Sequence, residues 1–298
     1  MILVFGGRGQ LGTELSRAAA DSGVPLISLG RDDADVANPD AVAAAIERHD
    51  PALVVNAAAY THVDLAESHP DEAEQINAIA PGIVATAACA AGIPMVHIST
   101  DYVFAGDQPI GQAYREDDPL APLSVYGRTK AEGEQRVRLA CAQYIIMRTA
   151  WLFSSFGANF LNTIVRLART RERLDVVADQ IGSPTAAADL AGAILIVAKR
   201  LRAGTDTIPW GTFHVAGSSA VSRYDFAKAI VTAQAQHTGR MPTVNPTATS
   251  AGHGVARRPL HSALNSDKFA AAFGFRSGDW RTHVERSVSD IFRLEAAP

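Results

Sequence analysis

The chain is expected to be an α/β protein built on a doubly wound parallel sheet, and three observations lead there. Short, uniformly apolar runs alternate with amphipathic ones through the first half of the 298 residues. A glycine-rich turn, Gly6-Gly7-Arg8-Gly9-Gln10-Leu11-Gly12, follows the first apolar run directly. Tyr126 and Lys130, four positions apart, share one face of a helical stretch.

The elements follow in order. Strands are expected over 2–5, 26–29, 53–56, 95–99 and 144–147, where the apolar runs are continuous, as suits strands covered on both faces. Helices over 10–22, 39–49, 71–91 and 126–141 fill the gaps. This alternation implies right-handed crossovers and a Rossmann-type sheet. After Trp151 the rhythm loosens. A helix over 158–170, a strand over 174–177, a helix over 186–202, a strand over 212–215 and a helix over 222–236 are expected. The stretch 238–259, rich in Thr and Pro, reads as irregular. Residues 1–150 then form an NAD(P)-binding domain, and 151–298 mainly a smaller C-terminal substrate-binding lobe, with some later elements returning to the first domain. The lobe should cover the carboxyl edge of the sheet, where open parallel sheets bind ligands.

Composition excludes several classes. A net charge of -4 lacks the basic surface that nucleic acid requires. No apolar run reaches the roughly 18 residues that span a bilayer. Residues 1–5 are already a strand rather than a signal segment, so a cytoplasmic protein is expected. Cys89 and Cys141, in Ala-rich helical patterns, read as two buried reduced thiols. No His-x-x-x-His or Cys-x-x-Cys spacing occurs, so no zinc is assigned. His97 reads as a hydrogen-bonded core residue of the fourth strand.

The glycine turn describes a cofactor site. Gly6 can turn sharply, Gly9 lets the backbone approach a pyrophosphate, and Gly12 permits close helix–strand packing. The helix opened by Gln10 and Leu11 offers unpaired N–H groups to an anion. At the end of strand two the signals conflict. Asp32 is correctly spaced for a ribose diol, whereas Arg31, with Arg8, suits a 2'-phosphate. NADPH is preferred, with NADH as the alternative. Asp35 is within reach of the adenine, and Val36 is placed beside it. Ala57, Ala58 and Ala59 end strand three with side chains small enough to leave the cofactor room.

Thr100 closes strand four, and Tyr126 and Lys130 open the helix after a Pro-containing loop. An exposed tyrosine keeps its proton to about pH 10, and a nearby ammonium favours the phenolate. Tyr126 would protonate the oxygen that gains charge as hydride arrives. Lys130 would bind the nicotinamide ribose and lower the phenol, and Thr100 would orient the carbonyl. Together these features describe a nicotinamide-dependent carbonyl reductase.

At this point the chain resembles the extended short-chain dehydrogenases/reductases that act on nucleotide sugars. Within them it is similar to the dTDP-4-dehydrorhamnose reductase family. The segments that carry the likeness are 56–64 with Glu67, 99–104, Tyr126–Lys130 with Gly133 and Glu134, 148–151, 179–185 and 258–264. The resemblance implies reduction of the 4-keto group of a dTDP-sugar, dTDP-4-dehydro-L-rhamnose. By matching positions it implies that Gly9, Gln10 and Leu11 hold the pyrophosphate, while Ala58, Ala59, Tyr60 and Thr61 line the cofactor. Val63, Thr100, Asp101, Val103 and Trp151 would meet the sugar nucleotide, and Arg258 would pair with its diphosphate.

Some members form homodimers bridged by magnesium through carboxylates. Glu14 matches one such ligand, but the second position reads Ala188, with Asp189 beside it, so no metal is assigned. Ala105 also departs from the small polar residue common before Gly106. Two alternatives remain beside the reductase. One is another nucleotide-sugar epimerase or dehydratase, although Tyr102 stands where dehydratases carry a second carboxylate. The other is a non-catalytic regulator resembling the methionine adenosyltransferase beta subunit.

Overall fold

The computed structural model describes residues 1–204, 207–249 and 255–296. The chain opens with β1 (Ile2–Phe5), α1 (Gln10–Asp21), β2 (Leu26–Leu29), α2 (Pro39–His49) and β3 (Leu53–Asn56). Each strand is short and apolar, and each helix starts where local chemistry permits. Asn38, for instance, caps α2 by accepting from the Asp40 and Ala41 N–H groups, with Pro39 as its first residue. Next come α3 (Val63–Ser68), α4 (Pro70–Glu74), a π-turn over Gln75–Ile79, α5 (Ala80–Ala90), β4 (Met95–Thr100), α6 (Val125–Ala140) and β5 (Tyr144–Thr149). Ser124 caps α6 through the Gly127 N–H, and the Glu67 carboxylate accepts from Val125 N–H at 2.8 Å.

The second half contains β6 (Leu152–Phe153), α7 (Phe160–Ala168), β7 (Arg173–Val177), β8 (Ile181–Gly182), β9 (Thr185–Ala186), α8 (Ala187–Ala203) and β10 (Gly211–His214). It ends with β11 (Val221–Ser222), α9 (Arg223–Thr238), β12 (Thr243–Thr247), α10 (Asp267–Phe273) and α11 (Trp280–Ala296).

The central sheet is parallel throughout, in the order β10-β5-β4-β3-β1-β2. The order reverses between β1 and β3, and the crevice at their carboxyl ends is where such sheets take ligands. One face is covered by α1, α8 and α10 through Leu11, Leu15, Leu190, Ile194 and Phe269. The other is covered by α2, α5 and α6 through Val42, Ile46, Val84 and Val137. A third apolar cluster joins α7, α9 and α11 around Phe226, Trp280 and Val284. The doubly wound α/β architecture expected from the sequence is therefore present, and β10 is the element that returns from the second half to complete the sheet.

Four differences have physical causes. The helix expected over 71–91 is interrupted because Pro81 has no N–H to give the Asn77 carbonyl, and the chain widens into the π-turn. The stretch expected to be irregular contains β12, which pairs with β7 despite Pro246. In a two-stranded ladder one proline is tolerated at an edge, and polar residues hide the strand from a hydrophobicity pattern. His97 is fully buried as expected, but neither ring nitrogen has a hydrogen-bond partner, and burial holds it well below its usual range and so neutral. Cys141 is buried but Cys89 lies on the exposed side of α5, so only one of the two free thiols is in the core. Among the described residues, no helix is long and apolar enough to cross a membrane.

Candidate active site

A cleft of about 720 Å³ runs along the carboxyl ends of β1, β3, β4 and β5. Gly6, Gly9, Gln10 and Leu11 form its floor at one end, and Thr100, Asp101, Tyr126, Lys130 and Trp151 line it further along. The backbone explains the floor. Gly6 has φ +80, and a Cβ there would lie 2.5 Å from Ala58 N, so no larger residue fits the turn. Gly12 packs against Gly7 of the turn itself rather than against a strand, and stays beneath the cleft rather than in it.

The start of α1 differs from that of four other helices. Asn38, Ser124, Asn159 and Ser222 cap α2, α6, α7 and α9, but no side chain caps α1. Its first N–H groups face the cleft uncapped, which fits the donor set a dinucleotide pyrophosphate requires. The Gln10 side chain donates to Leu152 O at 3.4 Å and accepts from Asn159 Nδ2 at 3.2 Å, fixing this helix end to the second half.

The cofactor-selecting corner is now legible. Arg8 and Arg31 line the cleft, together with Asp35 and Val36. Asp32, the candidate for the ribose diol, is turned outward with its side chain 82% exposed and bound to Arg8 at 2.7 Å. Asp33 accepts from Gly30 N–H at 2.7 Å and pairs with the same arginine. Arg31 pairs with Asp35 at 3.4 Å. Two guanidiniums at the cleft wall, and a diol candidate pointing away from it, suit a 2'-phosphate.

The segment Ala58, Ala59, Tyr60, Thr61 and Val63 forms the wall opposite α1. It is held by Asn77, a residue with no role in the sequence reading. The Asn77 carboxamide accepts from Tyr60 N–H at 2.8 Å and donates to Tyr60 O at 3.0 Å. The π-turn that carries Asn77 is what aims it, as π-bulges near functional sites often do.

The three expected reacting residues meet. The Tyr126 phenol lies beside the Thr100 hydroxyl in the cleft. Thr100 Oγ1 donates to Asp101 Oδ1 at 3.1 Å and accepts from Tyr102 N–H at 3.2 Å. Ser262 Oγ donates to Asp101 Oδ2 at 2.5 Å, so a residue from the last part of the chain completes the relay. Burial pushes Asp101 up to about 6, against the two hydroxyl donors.

Burial raises Tyr126 above the usual phenol range, while Thr100 works to lower it. Lys130 Nζ donates to Ile98 O at 2.7 Å. Burial also pushes Lys130 down to about 8, against the Glu134 carboxylate.

Behind the sheet edge, Glu134 accepts from Ser99 at 2.6 Å and from Arg148 at 2.8 Å through both Nε and Nη2. All three residues are buried. Burial works to raise Glu134, but Arg148, Ser99 and Arg138 outweigh it and hold the carboxyl below its usual range.

The remaining expected residues are placed as follows. Val103 is fully buried in the 3₁₀ turn behind Asp101, off the cleft surface. Arg258 is at the rim, bound to Asp64 at 2.6 Å. Arg223 lines the cleft and was not signalled by any motif. Glu14 and Ala188 line one groove elsewhere, but Asp189 accepts from Gly278 N–H and pairs with His283 at 3.1 Å, so it does not supply the missing carboxylate. Among the described residues there is no cluster of three or more candidate metal ligands.

Comparison with known proteins agrees with this geometry. A dTDP-4-dehydrorhamnose reductase of Sinorhizobium fredii is 39% identical over 287 residues, 96% of each chain. The dTDP-4-dehydrorhamnose reductase of Escherichia coli K12 is 39% identical over 304 residues, 99% of each chain. The crystal structure of the Bacillus anthracis dTDP-4-dehydrorhamnose reductase in complex with NADP superposes with a TM-score of 0.87. It is 34% identical and covers 97% of this chain and 98% of its own. The family model described as RmlD substrate binding domain matches residues 1–292, and with relatives this similar along the whole length, the chain belongs to that family.

Proposed function

We propose that this chain reduces the 4-keto group of dTDP-4-dehydro-L-rhamnose to give dTDP-L-rhamnose, using NADPH, with NADH as the alternative. The observation that carries the reading is that Thr100, Tyr126 and Lys130 line the same cleft as the uncapped start of α1.

NADPH, when bound, supplies the hydride, and its pyrophosphate would be held by Gly9, Gln10 and Leu11. The protein residues do the rest. The Tyr126 hydroxyl gives its proton to the oxygen that becomes the product hydroxyl. Because burial keeps the phenol protonated at neutral pH, Tyr126 is charged with its proton before reduction begins. The Thr100 hydroxyl shares the same oxygen and fixes its direction. The Lys130 ammonium, tethered to Ile98 O, lies where a cofactor ribose would be bound and offers its remaining donors there. Asp101, Trp151 and Val63 would contact the sugar nucleotide. Val103 supports Asp101 from behind, and Arg258 waits at the rim. The homodimer implied by the family resemblance and the cytoplasmic location expected from the sequence belong to the same proposal.

The test is a coupled assay with purified protein, NADPH and dTDP-4-dehydro-L-rhamnose generated in place. Substrate-dependent loss of the nicotinamide absorbance, with dTDP-L-rhamnose as product, is expected. Absence of oxidation with either nucleotide, despite measured NADPH binding, would overturn the reading.

A further inference from the structure

Trp151 has a left-handed backbone, with φ 47, which a bulky residue adopts only where its surroundings enforce it. The surroundings are visible. A Cβ on Gly182 would lie 2.5 Å from Trp151 Cε2, so β8 brings bare backbone against the indole. Over the same indole lies the Arg223 guanidinium, 3.6 Å from the ring centroid and 4.8 Å from that of Phe160.

Arg223 is the first residue of α9, which Ser222 caps through Asp225 N–H. The cap and the stacking hold the cation at the Trp151 end of the cleft. Its electrostatic position is unbalanced. Among the described residues no carboxylate lies at ion-pair distance from Arg223, whereas Arg258 is paired with Asp64. The Tyr102 phenol acts electrostatically on both Arg223 and Arg258, which places two cations around one phenol. The nearest acid, Asp101, is already engaged by Ser262 and Thr100. Desolvation pushes Arg223 down to about 10, as expected of a cation lacking a close counter-charge. Two guanidiniums converging without a shared carboxylate form a receptor for an anion with several oxygens.

We propose that Arg223, flattened on Trp151, is a specificity-determining residue that binds the diphosphate of the nucleotide sugar. The proposal rests on the reading that the substrate is a nucleotide diphosphate sugar. The guanidinium face is occupied by the indole, so the N–H edge is left to reach phosphate oxygens. Arg258 would exchange part of its bond to Asp64 for the same group.

Calorimetric titration with dTDP and with thymidine, which lacks the diphosphate, tests it on the wild type, Arg223→Gln and Arg223→Met. Both variants keep an aliphatic stem over Trp151 but remove the charge. Expected is at least a tenfold loss of dTDP affinity in each, with thymidine and NADPH affinities within threefold of wild type. In turnover the loss should fall on KM for the sugar nucleotide, with kcat within threefold. dTDP affinity within twofold of wild type in both variants would overturn the proposal. An equal loss of thymidine affinity would overturn it too, since Arg223 would then serve only to pack Trp151. Failure of the wild type itself to bind dTDP would instead remove the nucleotide-sugar reading, and this inference with it.

Discussion

The Asn77 carboxamide grips the Tyr60 peptide from both sides, accepting from its N–H at 2.8 Å and donating to its carbonyl at 3.0 Å. A single buried side chain thereby stands in for a strand neighbour and fixes the loop that forms one wall of the cleft. Asn77→Ala leaves both peptide groups without these partners, at a cost of about 2 kcal/mol. Denaturant unfolding should show that loss. KM for NADPH should rise several-fold while kcat changes little, because the loop borders the cofactor end and not the Tyr126 hydroxyl.

Tyr126→Phe removes the proposed proton donor and keeps the ring that packs edge-on against Tyr102 at 5.5 Å. Turnover should fall by about 10²–10⁴-fold, the usual worth of a positioned acid. NADPH affinity, read by fluorescence titration, should stay within threefold. Near-normal turnover would show that another group protonates the product oxygen.

Lys130, pushed down to about 8, changes charge within an accessible range. NADPH affinity should therefore weaken as pH rises through 8. Lys130→Met should bind NADPH at least tenfold more weakly at pH 7 and lose this dependence. A wild-type affinity that stays flat from pH 6.5 to 9 would rule out an ionised Lys130 as a cofactor contact.

Asp101 is raised to about 6 from a usual carboxyl value near 3.8. The folded state binds this proton more tightly than the unfolded chain, so ionisation destabilises the fold as pH rises from 4 through 6. Asp101→Asn cannot ionise, and its carboxamide resembles the protonated acid. The variant should gain stability relative to wild type by about 1–3 kcal/mol above pH 7, with the gap closing near pH 4. Unfolding free energies measured across that range check the slope, and a gap independent of pH would refute it.

Glu134 is shifted in the opposite direction. Its contribution is fully present above the unfolded value near 4.5 and is lost as pH falls through the lower folded value. Glu134→Gln leaves the Arg148 guanidinium buried beside a neutral amide and should cost about 3–5 kcal/mol at pH 7. The difference from wild type should narrow below pH 4.5. Thermal unfolding of both proteins at pH 7 and pH 4 provides the comparison.

The sheet could be read from sequence because its strands are buried on both faces and therefore apolar without interruption, as in residues 2–5 and 53–56. That Tyr126, Lys130 and Thr100 would share one cleft was legible for a related reason: Tyr126 and Lys130 lie on one helix, and Thr100 ends a strand, so local spacing fixes their directions. What remained hidden depends on contacts between distant segments. Asn77 looks like any polar helical residue until Pro81 opens the π-turn that aims it. Arg223 occupies an ordinary first helical position, and only the fold brings it over Trp151. β12 escaped notice because a two-stranded edge ladder has no need of an apolar pattern.

The return of β10 to the central sheet has a consequence for how the protein is made. β5 ends at Thr149, yet its partner spans Gly211–His214, so about sixty residues must be synthesised before that edge is covered. On the ribosome the nascent sheet presents β5 as an open border, with the Arg148 side chain still lacking its contact with His214. Such borders recruit foreign strands. The polypeptide is therefore most vulnerable to aggregation midway through its emergence, and chaperone dependence should peak for ribosome-bound chains in which β5 has emerged and β10 has not.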